Sequence, residues 1–144
     1  MPRFDPSHPS TLAIYCSDGR FTDAVEDHCD ELGHERVDTM TLPGGPALLT
    51  SGPADLSEVH VFSRAAHFLI KAHSITHIFL FAHAGCGFYR ARCRRLGEDA
   101  IRRMQIDNMH AARTSLRRHF PEIAVTCCYA APDDDDVTFT DVTG

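Results

Sequence analysis

The chain has few of the features that mark membrane, secreted or nucleic-acid-binding proteins. Its 144 residues contain no run of about 20 apolar residues, so we expect no membrane-spanning helix. The first ten residues lack the apolar segment of a secretory signal, which favours a cytoplasmic protein. Four of its negative charges lie in the run from Asp133 to Asp136, within a formal net charge of −6. The rest of the chain is therefore nearly neutral, and we expect no nucleic-acid partner and no membrane partner.

Interdomain linkers and internal repeats are missing as well, and the length fits a single domain over residues 1–144. Residues 1–10 contain three prolines and are expected to form an extended arm. Beyond them, strand and helix patterns alternate, which is typical of an α/β protein. This order predicts a mostly parallel sheet of four strands flanked by helices, and the last segments predict a C-terminal antiparallel edge strand.

Short apolar or alternating runs predict the strands, which cover Thr11 to Tyr15, Arg36 to Leu42, Thr76 to Ala82, Ile123 to Ala130 and Val137 to Val142. Apolar residues at intervals of three and four predict the helices, which cover Thr22 to about Leu32, Asp55 to about His73 and Glu98 to about Phe120. Asp55 followed by Glu58 is typical of a capping box. A turn is predicted over Pro132 to Asp136. The core positions predicted in the last helix are Ile101, Met104, Met109, Ala112 and Leu116.

Two loops carry residues that could take part in catalysis or metal binding. Cys16-Ser-Asp-Gly-Arg20 follows the first predicted strand, and His83-Ala-Gly-Cys-Gly87 follows the third. Ligands of parallel sheets collect at the carboxyl ends of the strands, where successive connections run to opposite sides. If these two strands are neighbours, the two loops meet at that point.

Cys16, His83 and Cys86 would supply three of the four ligands of a tetrahedral zinc ion. Three protein ligands and one open position are the arrangement of catalytic zinc, whereas a structural zinc needs a fourth ligand nearby. The residues that stay open as such a fourth ligand are His28, Cys29 and Cys93.

Asp18 and Arg20 are the candidate catalytic residues of the first loop. Asp18 would accept a hydrogen bond from water on the metal, or would replace that water as the fourth ligand. Arg20 would hold the Asp18 carboxylate by a two-pronged ion pair.

The two motifs resemble the paired signatures C-x-D-x-R and H-x-x-C of the β-class carbonic anhydrases. The turn Pro43-Gly-Gly45 looks like the family's glycine turn, and the resemblance covers about Leu12 to Val142. It implies a zinc lyase of the carbonate dehydratase type, with Zn²⁺ held by Cys16, His83 and Cys86. Zinc-bound hydroxide, oriented by Asp18 and Arg20, would then convert carbon dioxide reversibly to bicarbonate.

The resemblance also implies a homodimer or a higher homo-oligomer. The chain departs from the family at Thr41 and Leu42, where Arg-Asn is frequent, and at Gly85, where the short branch commonly has Asp. These positions concern the pocket wall and leave the substrate open. Two alternatives to carbon dioxide hydration are kept. One is hydrolysis of carbonyl sulfide or carbon disulfide at the same site, and the other is a non-catalytic zinc-binding relative in which Asp18 stays on the metal.

Arginines between Arg90 and Arg103 form a basic cluster. It could bind phosphate, an anionic effector or nucleic acid, or it could form ion pairs with Glu98 or Asp99 across a subunit interface. Few aromatic residues are interleaved with it, which favours the ion pairs. Phe88 and Tyr89 either line a small apolar pocket or begin the core of a helix.

Overall fold

Five strands form one sheet in the computed structural model, which describes residues 1–144. The strands are β1 (Thr11–Tyr15), β2 (Asp38–Thr41), β3 (His77–His83), β4 (Ala124–Asp133) and β5 (Asp136–Asp141). The helices are α1 (Thr22–Glu31), α2 (Leu56–Ala72), α3 (Gly87–Arg92) and α4 (Glu98–His119), with a short 3₁₀ helix at Gly45–Leu49. The strand order in the sheet is β2-β1-β3-β4-β5.

The pairing of the strands confirms the predicted fold class. β1 pairs in parallel with both β2 and β3, and β3 pairs in parallel with β4. β5 pairs antiparallel with β4 at the edge of the sheet. Because β2 and β3 lie on opposite sides of β1, the connections diverge beside β1, as the sequence predicts.

Helices cover both faces of the sheet, since successive side chains of a strand point to opposite faces. On one face, Ile78 and Leu80 of β3 pack in a core that includes residues of α2 and α4. On the other face, Phe79 and Phe81 pack in a core that includes Val25 of α1. This double covering explains why the central strand is apolar at almost every position.

Local sequence signals set most of the helix boundaries. The predicted capping box is present, because the Asp55 side chain accepts from the Glu58 amide while the Glu58 side chain accepts from the Asp55 amide. In α4 Met104 packs against the edge of a core rather than inside it. This side chain is only partly buried, and Gln105 takes the fully buried position.

The last hairpin differs from its predicted boundaries. β4 continues through Pro132 to Asp133, and only Asp134 and Asp135 form the turn. Pairing of Pro132 with Val137 and of Asp133 with Asp136 extends the ladder, and Asp134 adopts the left-handed conformation with a φ of 53°. Aspartate tolerates this conformation better than most residues, so the run forms a tight hairpin turn.

Residues 1–10 form a largely exposed segment outside the helices and strands. Arg36 fixes the arm by donating to the Asp5 carboxylate at 2.9 Å and to the Ser7 carbonyl at 2.7 Å. The ring of His8 stacks on that of His73 at 4.0 Å. None of the helices has the length and apolar character that crossing a bilayer demands.

Candidate metal centre

The two candidate loops meet at one edge of the sheet. Cys16 directly follows β1, His83 is the last residue of β3, and Cys86 lies at the start of α3. Because β1 and β3 are parallel neighbours, their carboxyl ends bring these three residues together.

The ligand atoms of Cys16, His83 and Cys86 all lie within 4.8 Å of one another. Their exposed fractions are 9%, 4% and 2%. Two sulfur atoms and one imidazole nitrogen are donors that suit zinc. No other group of three or more histidine, cysteine or acidic side chains in the chain converges in this way, and Cys29 packs in the α1 core instead.

The ring of His83 is oriented for a ligand. Its Nδ1 lies 2.8 Å from the Ala84 carbonyl oxygen, which only accepts, so Nδ1 carries the proton of the neutral ring. Nε2 is then the lone-pair nitrogen. It is buried and has no hydrogen-bond partner in the chain, so the residues present fit a cation at this atom.

The electrostatics of the cluster favour negative sulfur beside a positive charge. The Cys86 thiol, the His83 ring and the Gly44 and Asp18 amides lower the pKa of Cys16 to about 4. The hydrogen bond that the Cys86 thiol donates to the Cys16 sulfur raises the pKa of Cys86. Burial lowers the pKa of His83, but the neighbouring Cys16 sulfur and the Ala84 carbonyl outweigh it, so the net shift is a rise. A cation among these atoms would supply the positive charge that the pKa shifts favour.

The glycine turn packs directly against the end of β1. Gly45 has a φ of +50°, and a Cβ there would lie 2.7 Å from both the Cys16 nitrogen and the Tyr15 carbonyl carbon. A Cβ at Gly44 would lie 2.6 Å from the Phe88 ring. Both positions therefore require glycine, and the turn fixes the backbone that carries Cys16.

Asp18 and Arg20 form the predicted two-pronged pair. Arg20 Nε donates to Asp18 Oδ1 at 3.0 Å, and Arg20 Nη2 donates to Oδ2 at 2.6 Å. These hydrogen bonds lower the pKa of Asp18 to about 2, so it stays a carboxylate at neutral pH. Its Oδ2 lies 4.0 Å from Nε2 of His83, which places the carboxylate beside the candidate ligands.

Aromatic side chains surround the cluster. The Phe21 ring packs on the His83 ring with centroids 4.3 Å apart. Tyr89 is buried in a small core with Cys16 and Cys86, as expected of a residue that begins a helix core. Phe88 is only partly buried, and the Arg92 guanidinium lies 4.2 Å above its ring.

Sequence reasoning missed two polar residues beside the centre, Gln105 and Asn108 of α4. Gln105 is buried, and its Nε2 donates to the His83 carbonyl oxygen at 2.9 Å. Asn108 Nδ2 donates to the Tyr89 hydroxyl at 2.8 Å. The signal that could have revealed Gln105 is its place four residues after Ile101 and four before Met109, within an apolar stripe.

Two arginines of the cluster form ion pairs within the chain. Arg90 pairs with Glu98 at 2.6 Å, and Arg92 pairs with Glu58 of α2. Arg102 lies 4.7 Å above the Tyr129 ring. These contacts support the structural interpretation of the cluster.

Comparison with known proteins gives one family match. A family model described as "Putative carbonic anhydrase" matches residues 7–140, which is most of the chain. No sequence among the curated proteins matches.

Solved structures share the fold at low sequence identity. The β-carbonic anhydrase CafA of Aspergillus fumigatus is 17% identical with a TM-score of 0.58, and the match covers 96% of this chain and 78% of that one. Isoform I from Trichomonas vaginalis is 16% identical with a TM-score of 0.59, covering 96% and 86%. A tetrameric β-carbonic anhydrase of Sordaria macrospora is 14% identical with a TM-score of 0.58, covering 92% and 81%. At these identities the likeness establishes the fold of the chain.

Proposed function

Because the chain belongs to the family described as "Putative carbonic anhydrase", we propose that it catalyses the reversible, zinc-dependent hydration of carbon dioxide to bicarbonate. The observation that carries the proposal is the convergence of Cys16, His83 and Cys86 within 4.8 Å, with a buried, unpartnered nitrogen on His83. These three residues would hold Zn²⁺. When bound, zinc is a Lewis acid that supplies hydroxide from water near neutral pH.

The protein ligands would leave the centre electrically balanced. Two thiolates neutralise a divalent cation, and a neutral imidazole adds no charge. Such a centre acidifies water less than one with three histidines, so a nearby acceptor is needed to orient the attacking oxygen.

Asp18 would be that acceptor. With a pKa lowered to about 2 it cannot keep a proton at neutral pH, so its Oδ2 accepts a hydrogen bond from the nucleophile without taking the proton. The proton released when water and carbon dioxide form bicarbonate therefore passes to solvent or buffer. Arg20 would fix the carboxylate and would act only through Asp18.

The same contacts bear on the non-catalytic alternative. Capping of the metal by Asp18 would compete with the two hydrogen bonds that its oxygens accept from Arg20. This favours a fourth ligand position that is open to water. The apolar Phe21 ring beside His83 suits a nonpolar linear substrate. Carbonyl sulfide and carbon disulfide share that shape, so substrate choice is settled by assay.

We also propose that the chain forms a homodimer or a higher homo-oligomer. The tetrameric state of the structurally similar Sordaria macrospora protein supports this. The cytoplasmic location and the single domain over residues 1–144 stay predictions from the sequence.

Stopped-flow hydration of carbon dioxide on protein of measured zinc content tests the proposal. We expect turnover that rises in proportion to zinc from neutral to alkaline pH. Zinc-replete protein without this turnover, but active on carbonyl sulfide or carbon disulfide, would replace the substrate. Four protein ligands in the X-ray absorption spectrum at every pH would establish the non-catalytic alternative.

A further inference from the structure

The peptide group between His83 and Ala84 has an unusual hydrogen-bonding requirement. Its N–H donates to the Ala130 carbonyl of β4 at 2.9 Å. Within one peptide group of a strand the N–H and the C=O point to opposite edges, so the His83 carbonyl points away from β4 toward the β1 side. A buried carbonyl there needs a donor.

β1 does not supply that donor. The last pair between the two strands is Ile14 with Leu80, and β1 ends at Tyr15, where the chain turns to place Cys16. His83 therefore has no strand partner on this side, where the loop that carries Cys16 lies instead. Gln105 fills the gap, because its Nε2 donates to this carbonyl at 2.9 Å from a side chain that is 2% exposed.

A second amide fixes the other end of the same turn. Asn108 lies three residues after Gln105 and therefore on the same face of α4. It bonds the hydroxyl of Tyr89, the third residue after Cys86. Gln105 is the only glutamine of the chain and Asn108 the only asparagine. Gln105 thus bonds the first residue of the segment 83–89, and Asn108 bonds the last.

We propose that Gln105 and Asn108 are positioning residues that hold the turn between His83 and Tyr89 in the geometry a metal ion requires. This inference rests on the zinc site of the proposed function. Gln105 acts on the backbone of His83, while the Ala84 carbonyl orients its ring. Without its donor, the His83 carbonyl would shift and carry the His83 ring with it. Metal–ligand distances must stay within about 0.2 Å of their ideal values, so such a shift would weaken zinc binding.

Zinc affinity, measured by competition with a chelator, tests the role of Gln105. Gln105→Met keeps the length of the side chain but removes the donor, and we expect about 10–100-fold weaker zinc binding. The cobalt-substituted protein should also show a changed ligand-field spectrum. Leu116→Ala, in the buried face of the same helix but among residues of the main core, is the matched control. It should lose stability and keep its zinc affinity and cobalt spectrum.

Unchanged zinc affinity in Gln105→Met, or an equal loss in Leu116→Ala at equal stability, would overturn the inference while leaving the proposed function intact. An unaltered chain that binds no zinc would overturn both. Should Gln105→Met not fold, the unaltered chain decides. Its nitrogen-15 spectrum contains only two side-chain carboxamide groups, and we expect both to shift when zinc is removed. Carboxamide signals that stay in place on zinc removal would contradict the inference.

Discussion

Replacing Gly45 by alanine tests whether the glycine turn fixes the Cys16 backbone. The new Cβ would lie 2.7 Å from two backbone atoms, and ordinary contact begins at 3.4 Å, so the backbone must move by about 0.7 Å. The positive φ costs alanine about 1–2 kcal/mol, and the overpacking costs about 1–3 kcal/mol. We therefore expect a loss of about 2–5 kcal/mol, or roughly 6–15 °C in Tm at about 3 °C per kcal/mol.

Gly33→Ala is the matched control for this substitution. Gly33 also has a positive φ, of +93°, but a Cβ there meets nothing within 4 Å. It should lose only about 1–2 kcal/mol and keep zinc binding unchanged. The Gly45 variant should in addition bind zinc more weakly, because a 0.7 Å shift exceeds the roughly 0.2 Å that metal geometry tolerates.

Denaturant unfolding of the metal-free proteins, followed by circular dichroism, measures the stability term, and chelator competition measures the zinc term. The reasoning fails if Gly45→Ala and Gly33→Ala lose the same stability and bind zinc equally well. If Gly45→Ala loses stability but keeps full zinc affinity, only the coupling of the turn to Cys16 is refuted.

Cys86→Ala should reduce zinc content to the background level by elemental analysis, whereas Cys29→Ala, in the opposite core, should keep it; full zinc in Cys86→Ala would remove that ligand. Arg20→Ala should keep zinc but lose most turnover, and unchanged turnover would exclude a role for the pair. The pKa of Asp18 is lowered to about 2 from 3.8, so its ion pair stabilises the fold above pH 3.8 and loses this effect as pH falls through about 2. The stability difference between Arg20→Ala and the unaltered chain should therefore vanish in acid, and it should stay below about 1 kcal/mol at neutral pH because the Arg20 side chain is largely exposed. Asp55→Ala should cost about 0.5–2 kcal/mol in denaturant unfolding, with no change in zinc content.

The meeting of the two loops could be predicted from the sequence because strand ends are a topological property. Once β1 and β3 are neighbours, residues that directly follow them must share an edge, so Cys16, His83 and Cys86 required no knowledge of packing. The capping box at Asp55 was equally accessible, since its partners are three residues apart.

The role of Gln105 was not accessible in the same way. Helical spacing identifies a face but fixes it only to within about one residue, which is why Met104 took its place among the predicted core positions. The need for a buried donor arises from the point where β1 leaves the sheet, and that depends on the register of two strands distant in sequence. The extension of β4 through Pro132 depended likewise on pairing with β5.

The separation of the candidate ligands along the chain has a consequence for the order of folding events. Cys16 and His83 are 67 positions apart, whereas His83 and Cys86 are separated by three. An unfolded chain offers a metal ion only the local pair, and the third ligand arrives when β1 docks beside β3. Tight capture of an ion by this chain would therefore be a late event that reports completed strand pairing. An ion held by all three ligands would stabilise the folded chain over the unfolded one by mass action, by about 2.7 kcal/mol at 100 times its dissociation constant. Loss of the ion should consequently accelerate unfolding of the sheet as a whole.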